Sequence, residues 1–96
     1  MILVVTPRAA RDLDDIHSYI AHDDPSAAND VMRRLVKALK MIAERPAIGR
    51  QGATGARRHE WSVPGLPYLI PYRVEAERVI ILRVFHTARL RPLDWS

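Results

Sequence analysis

His86 closes an apolar run in the stretch ILRVFHTARLRP, residues 80–91, with Arg83 behind it and Arg89 and Arg91 ahead. An unperturbed imidazole titrates near ~6.5, so it can exchange a proton at working pH. Beside two or three guanidiniums it could serve phosphodiester cleavage. A base would take a ribose 2′-hydroxyl proton while arginine neutralises the charge building on phosphorus. Strand alternation sets a condition. His86 falls on the face of Ile80, Leu82 and Val84, and Arg83 on that of Val79, Ile81 and Phe85, so the two meet only if the strand bulges. The alternative is a histidine that ends a strand by hydrogen-bonding to backbone.

A second cluster, Arg57, Arg58, His59 and Glu60, is split by the same alternation: Arg57 and His59 on one side, Arg58 and Glu60 on the other. Glu60 could act as a general base with Arg57 or Arg58 clamping a phosphate. A solvated strand edge with a surface ion pair is the simpler alternative. Tyr68, Ile70, Tyr72 and Val74 share a face beside Arg73, and tyrosines in such a row cover a core rather than stack on bases. His17, His22 and Asp23 lie on one helix at spacings that converge on no metal, so no metal or cofactor is expected. Phosphate-cradling glycine loops, nucleophile elbows and metal-binding helix motifs do not occur in the sequence.

The elements that would position these groups follow from periodicity. Residues 2–5 read as a strand. Thr6-Pro7 predicts a helix start, with Thr6 as N-cap. Ala9, Leu13, Ile16 and Ile20 then form one face of a helix to about His22. Asp12, Asp14 and Asp15 are expected on its other sides, where the helix dipole favours acids. Asp24-Pro25 repeats the start signal. Ala28, Val31, Leu35, Leu39 and Ile42 make a second stripe ending near Glu44, with Arg33, Lys37 and Lys40 opposite. So short a connection predicts a helical hairpin. Pro46, Gly49, Gly52 and Gly55 mark an irregular loop of about ten residues, whose arginines include Arg50. The rest reads as three strands, RRHEWSV, PYLIPYRV and RVIILRVF, with Pro64-Gly65 and EAE as turns. Pro71 argues against ladder partners on both sides of the middle strand. The expected fold is α+β: a two-helix hairpin packed on a small antiparallel-rich sheet, in the order β-α-α-β-β-β.

Ninety-six residues suffice for one domain, taken as 1–96, and an apolar share of 48% supports a core without staples. There are no cysteines, which excludes disulfides and thiolate metal sites. No apolar run is long enough to span a bilayer, and the first residues lack the features of a signal peptide, so a cytoplasmic location without membrane contact is expected. The net charge of +4 is lopsided: residues 1–48 balance, while residues 49–96 hold eight arginines against Glu60, Glu75, Glu77 and Asp94. Arginine makes planar, two-pronged contacts with phosphate or carboxylate, so this half calls for an acidic partner, either nucleic acid or protein.

ARDLDDIHSYIA, then DPSAA opening a second helix, then RPAIGRQG, VPGLPYLIPYRV and VIILRVFHTAR resemble, in order and spacing, the ParE/RelE superfamily of bacterial toxins. The resemblance implies the toxin of a type II toxin–antitoxin (plasmid stabilisation) pair, neutralised by a cognate antitoxin whose C-terminal segment wraps it. The superfamily hosts two activities, so fold alone does not choose between them. RelE-like members cleave mRNA in the ribosomal A site, with lysines or a glutamate mid-chain, an arginine on the penultimate strand and a terminal tyrosine or histidine. ParE-like members act on DNA gyrase without that set. Here no lysine follows Lys40, no tyrosine follows Tyr72, and Tyr68 or Leu69 stands at the nuclease arginine position, while Arg83 and His86 match the end-strand positions and Glu60 could stand in for the base. The resemblance thus implies a ParE-like toxin that inhibits gyrase by protein–protein contact, with no catalytic residue favoured. Arg50, Arg57, Arg58, Tyr68, Arg73, Arg83, Arg89 and Arg91 are its candidate target- or antitoxin-binding residues. The alternative is a ribosome-dependent mRNA interferase using Arg57, Glu60, Arg83 and His86.

Overall fold

Both helices begin where a capping side chain precedes a proline. In a computed structural model of the chain, which describes residues 1–51 and 58–88, strand β1 (Ile2–Val5) leads into helix α1 (Pro7–Ala21). Thr6 Oγ1 accepts from the Ala9 amide at 3.1 Å, and its hydroxyl donates to the Ile81 carbonyl at 2.8 Å. One side chain thus caps the helix and ties its start to the sheet. Asp24 Oδ1 accepts from the Ala27 amide at 3.0 Å and opens helix α2 (Pro25–Glu44). The remaining elements are β2 (Arg50–Gln51), β3 (Arg58–Ser62), β4 (Tyr68–Glu75), β5 (Arg78–Ile81) and β6 (Phe85–His86).

The two predicted stripes meet the sheet as their spacing requires. Leu35, Leu39 and Ile42 of α2 and Ala9 of α1 pack with Ile70, Tyr72, Val79 and Ile81, while Leu13, Ile16 and Val31 close the margin. Each aliphatic side chain buried in this way contributes about 1.5–3 kcal/mol, so this layer, not the surface charge, holds the hairpin on the sheet. Asp12 departs from expectation. It lies between Ala9 and Ile16 on the inward face and is buried.

The sheet runs β1-β5-β4-β3-β2, with β6 also on β4. β1 pairs with β5 in parallel and the other pairings are antiparallel, so the sheet is mixed. A short β2 lies within the expected loop, pairing Arg50 with Glu60.

The predicted strand 78–85 is broken. Tyr72 pairs with Ile81, yet Leu69 pairs with Phe85. Ile70 and Pro71 therefore stand opposite three residues, Leu82, Arg83 and Val84, which is a one-residue bulge. Pro71 accounts for its place. The Pro71 carbonyl accepts from the Leu82 amide at 3.0 Å, and a strand residue's N–H and C=O point the same way. The donor that proline lacks would thus face the bulged segment, while the other edge of β4 pairs continuously with β3.

Candidate functional site

Directly paired residues in a ladder share a face, so register sorts the charged side chains. His59 pairs with Tyr72 and Trp61 with Ile70, which places His59 and Trp61 on the helix side. Arg58 opposite Arg73, Glu60 opposite Pro71 and Arg50 opposite Glu60 lie on the face turned from the helices. Glu75, Arg78 and Ile80 join them through the β4–β5 ladder. Four guanidiniums and two carboxylates thus share one sheet face among the described residues. Arg50 reaches Glu60 at 3.6 Å, Arg73 reaches Glu75 at 3.0 Å and Arg78 reaches Glu75 at 3.9 Å. The face stays positive, with Arg58 and Arg73 directly opposite each other in register. Arg57, Arg89 and Arg91 lie outside the described residues.

Arg83 and His86 do not belong to this face. Arg83 Nε donates to Asp12 Oδ2 at 2.7 Å and Nη2 to Asp12 Oδ1 at 3.0 Å, a two-pronged pair with both side chains nearly buried. The Val84 amide donates to the same Oδ2 at 2.9 Å, and the Arg83 guanidinium lies 4.5 Å from the Phe85 ring centroid. The bulge turns His86 to the helix side, opposite Tyr68 in register and edge-on to its ring at 5.4 Å. His86 Nδ1 accepts from the Ala88 amide at 3.1 Å. Strand alternation made a bulge the condition for His86 to meet Arg83. The bulge is present, but the guanidinium is taken by Asp12.

Tyr68 and Tyr72 are both buried in the core, as their shared face predicts. Tyr72 also holds the segment after α2. Its hydroxyl donates to the Pro46 carbonyl at 2.6 Å and accepts from the Gly49 amide at 2.8 Å, while its ring stacks on His59 at 5.2 Å. Burial raises the Tyr72 pKa above the ordinary 10.0, opposed by the Gly49 N–H bond. A Cβ at Gly49 would sit 2.5 Å from the Tyr72 hydroxyl and 2.9 Å from the Glu60 carbonyl oxygen, so this approach needs glycine. His17 Nε2 lies 3.2 Å from Asn29 Oδ1.

A groove of about 220 Å³ runs between α2 and β3, floored by Ala38, Met41, Trp61 and Val63 and rimmed by Arg34 and Lys37. Asp12 is the feature missing from the residue-level expectations. Asp12 had a signal, because it lies three residues from Ala9 and four before Ile16, on the apolar stripe itself.

The family model described as ParE toxin of type II toxin-antitoxin system, parDE, matches residues 3–91. The chain belongs to the ParE toxin family. Y4kP of Sinorhizobium fredii (strain NBRC 101917 / NGR234) is 44% identical to this toxin over 87 residues, covering 91% of this chain and 88% of its own. Toxin RelE2 of Caulobacter vibrioides is 42% identical over 88 residues, covering 92% and 97%. A solved structure titled Chromosomal ParDE TA system from P. aeruginosa superposes with a TM-score of 0.77 at 26% identity, covering 90% of this chain and 95% of that one. The toxin is therefore the toxin half of a type II toxin–antitoxin system, a class that implies a cognate antitoxin as partner. Among the described residues, no helix is long and apolar enough to cross a membrane.

Proposed function

We propose that the toxin, acting as one domain in the cytoplasm, inhibits DNA gyrase by protein–protein contact, with no covalent chemistry of its own. The observation that carries this is the fate of the two end-strand groups that cleavage would need. Arg83 is held by Asp12, and His86 faces Tyr68 on the side of the sheet away from Arg50, Arg58, Glu60 and Arg73. His86 on one face and the phosphate-neutralising cations on the other do not make a general-base site, which requires hydrogen-bond reach, and Glu60, the carboxylate on the cation face, lies beside Arg50 at 3.6 Å. The arginine face suits an acidic protein surface, where two-pronged contacts give specificity and steering. Arg50, Arg58 and Arg73 are the contact residues on the sheet, with Arg57, Arg89 and Arg91 added from the sequence alone.

The antitoxin is proposed to seat an amphipathic segment in the α2–β3 groove. Its apolar side would meet Met41, Trp61 and Val63, and its carboxylates would meet Arg34 and Lys37. Binding of this kind weakens with salt.

Induction in cells tests the target. Cleaved gyrase–DNA complexes and an SOS response are expected, and His86→Ala leaves growth inhibition unchanged. Transcripts cut within codons on ribosomes, with toxicity abolished by His86→Ala, would instead make the toxin an mRNA interferase. Arg58→Glu with Arg73→Glu is expected to abolish growth inhibition while the fold persists by circular dichroism. Full toxicity in that variant rejects the arginine face.

A further inference from the structure

We propose that Asp12 is a positioning residue whose carboxylate locks the bulge at 82–84 and thereby decides which sheet face His86 occupies. A bulge strands a backbone group that the ladder no longer serves, and a buried N–H without an acceptor is rare in folded proteins. Here the group is the Val84 amide, and the acceptor comes from another element: Asp12 Oδ2, 71 or 72 residues away in sequence, takes both Val84 N–H and Arg83 Nε. Its second oxygen takes Arg83 Nη2. Three donors from two consecutive bulge residues converge on one carboxylate of α1.

The consequence is a change of phase. Without the extra residue, Ile81 opposite Tyr72 would continue to Phe85 opposite Tyr68. Phe85 would then face the helices and His86 would pass to the face of Ile80 and Arg73. With it, Phe85 pairs with Leu69 and His86 with Tyr68. Arg83 thus acts through Asp12 and not on a ligand. This stands apart from the identity of the target, since its main readouts come from the isolated chain.

The test uses the full chain with Asp12→Ala, Asp12→Asn, Arg83→Ala and the double alanine variant, followed by amide exchange and by nuclear Overhauser contacts between the His86 and Tyr68 rings. In Asp12→Ala the Val84 amide is expected to exchange at least about tenfold faster relative to the Val79 amide, and the ring contacts to weaken. Asp12→Asn keeps one oxygen for Val84 and should retain more of both signals. It also carries the measurement if Asp12→Ala does not fold. The double variant should lose no more than the worse single one, because the pair works as a unit. In cells, Asp12→Ala and Arg83→Ala should change growth inhibition in parallel. Unchanged Val84 protection and ring contacts in a folded Asp12 variant would overturn the proposal. So would a loss of toxicity at Arg83→Ala with Asp12→Ala fully active, which would assign the guanidinium to the target itself.

Discussion

Replacing Tyr72 with phenylalanine isolates one hydroxyl that fastens the segment between α2 and β2. The ring is fully buried and would keep its stack on His59. What disappears is the donor to Pro46 O and the acceptor for Gly49 N. Gly49 is buried, so its N–H is left without a partner, whereas Pro46 is only half-buried and its carbonyl can recover water. A stranded buried donor costs about 1–3 kcal/mol and the second bond about 1 kcal/mol, so the loss is about 2–4 kcal/mol. In a chain of this size each kcal/mol moves Tm by about 4–8 °C, which places the melt roughly 10–25 °C lower. Thermal and urea unfolding, with exchange of the Gly49 amide, provide the assay. A pH arm adds an independent sign. Burial raises the folded-state pKa of the phenol above 10.0, so the neutral form is the one the fold favours. The stabilisation is fully present below the unfolded pKa and is lost as pH rises through the folded one, with a slope of about 1.4 kcal/mol per pH unit between them. Tyr72→Phe should remove that slope, so the stability difference between the two proteins shrinks above about pH 10. A melt within about 4 °C of the parent, or a difference that does not change with alkaline pH, refutes the reasoning.

Four other substitutions test single contacts. Gly49→Ala forces a methyl to 2.5 Å from the Tyr72 hydroxyl and should destabilise by about 1–3 kcal/mol in urea titration, with the Gly49–Tyr72 bond broken. Thr6→Ala removes both the cap on Ala9 and the bond to Ile81 O, for a loss of about 1–2 kcal/mol that Thr6→Ser should restore in the same titration. Asp12→Ala leaves Arg83 nearly buried without its counter-ion and should cost about 3–5 kcal/mol by urea unfolding, whereas Asp30→Ala, at the exposed Arg33 pair, should cost under about 1 kcal/mol.

What was legible in the sequence was what local chemistry decides. Thr6-Pro7 and Asp24-Pro25 place the helix starts because an N-cap and an N1 proline act within one turn. Leu35, Leu39 and Ile42 announce the core face of α2 because helical spacing alone puts them together. The tyrosines of β4 follow from period-two alternation in the same way. The bulge was not legible, because an extra residue in 82–84 is stable only when an acceptor from α1 serves the Val84 amide. Two local marks pointed toward it: Pro71, which could not be paired on both sides, and Asp12, a carboxylate on an apolar stripe. Neither names the other, and only their meeting across the fold explains both. The candidate site divided along the same line. Arg58, Glu60 and Arg73 could be assigned to a face by alternation, while Arg83 and His86 could not, because they lie in or beyond the phase change.

That phase change bears on how one fold serves two toxic activities. A sheet face collects side chains by parity, so a strand delivers either its odd or its even residues to a given surface. One added residue exchanges the two sets without disturbing the helices, the core or the strands upstream. Here Val79 and Ile81 keep their places under α2, yet Phe85 and His86 trade sides relative to an unbroken strand. The arginine face keeps its cations and gives up the nearest imidazole, and Arg83 is turned into a tie between α1 and the sheet. On the proposed reading, a surface of fixed positive charge whose carboxylates, Glu60 and Glu75, lie beside arginines holds an acidic partner, while the imidazole that could move a proton stands on the opposite face. The side of the sheet that His86 takes rests, on that same reading, on backbone register at three residues, 82–84, and on the carboxylate that holds them.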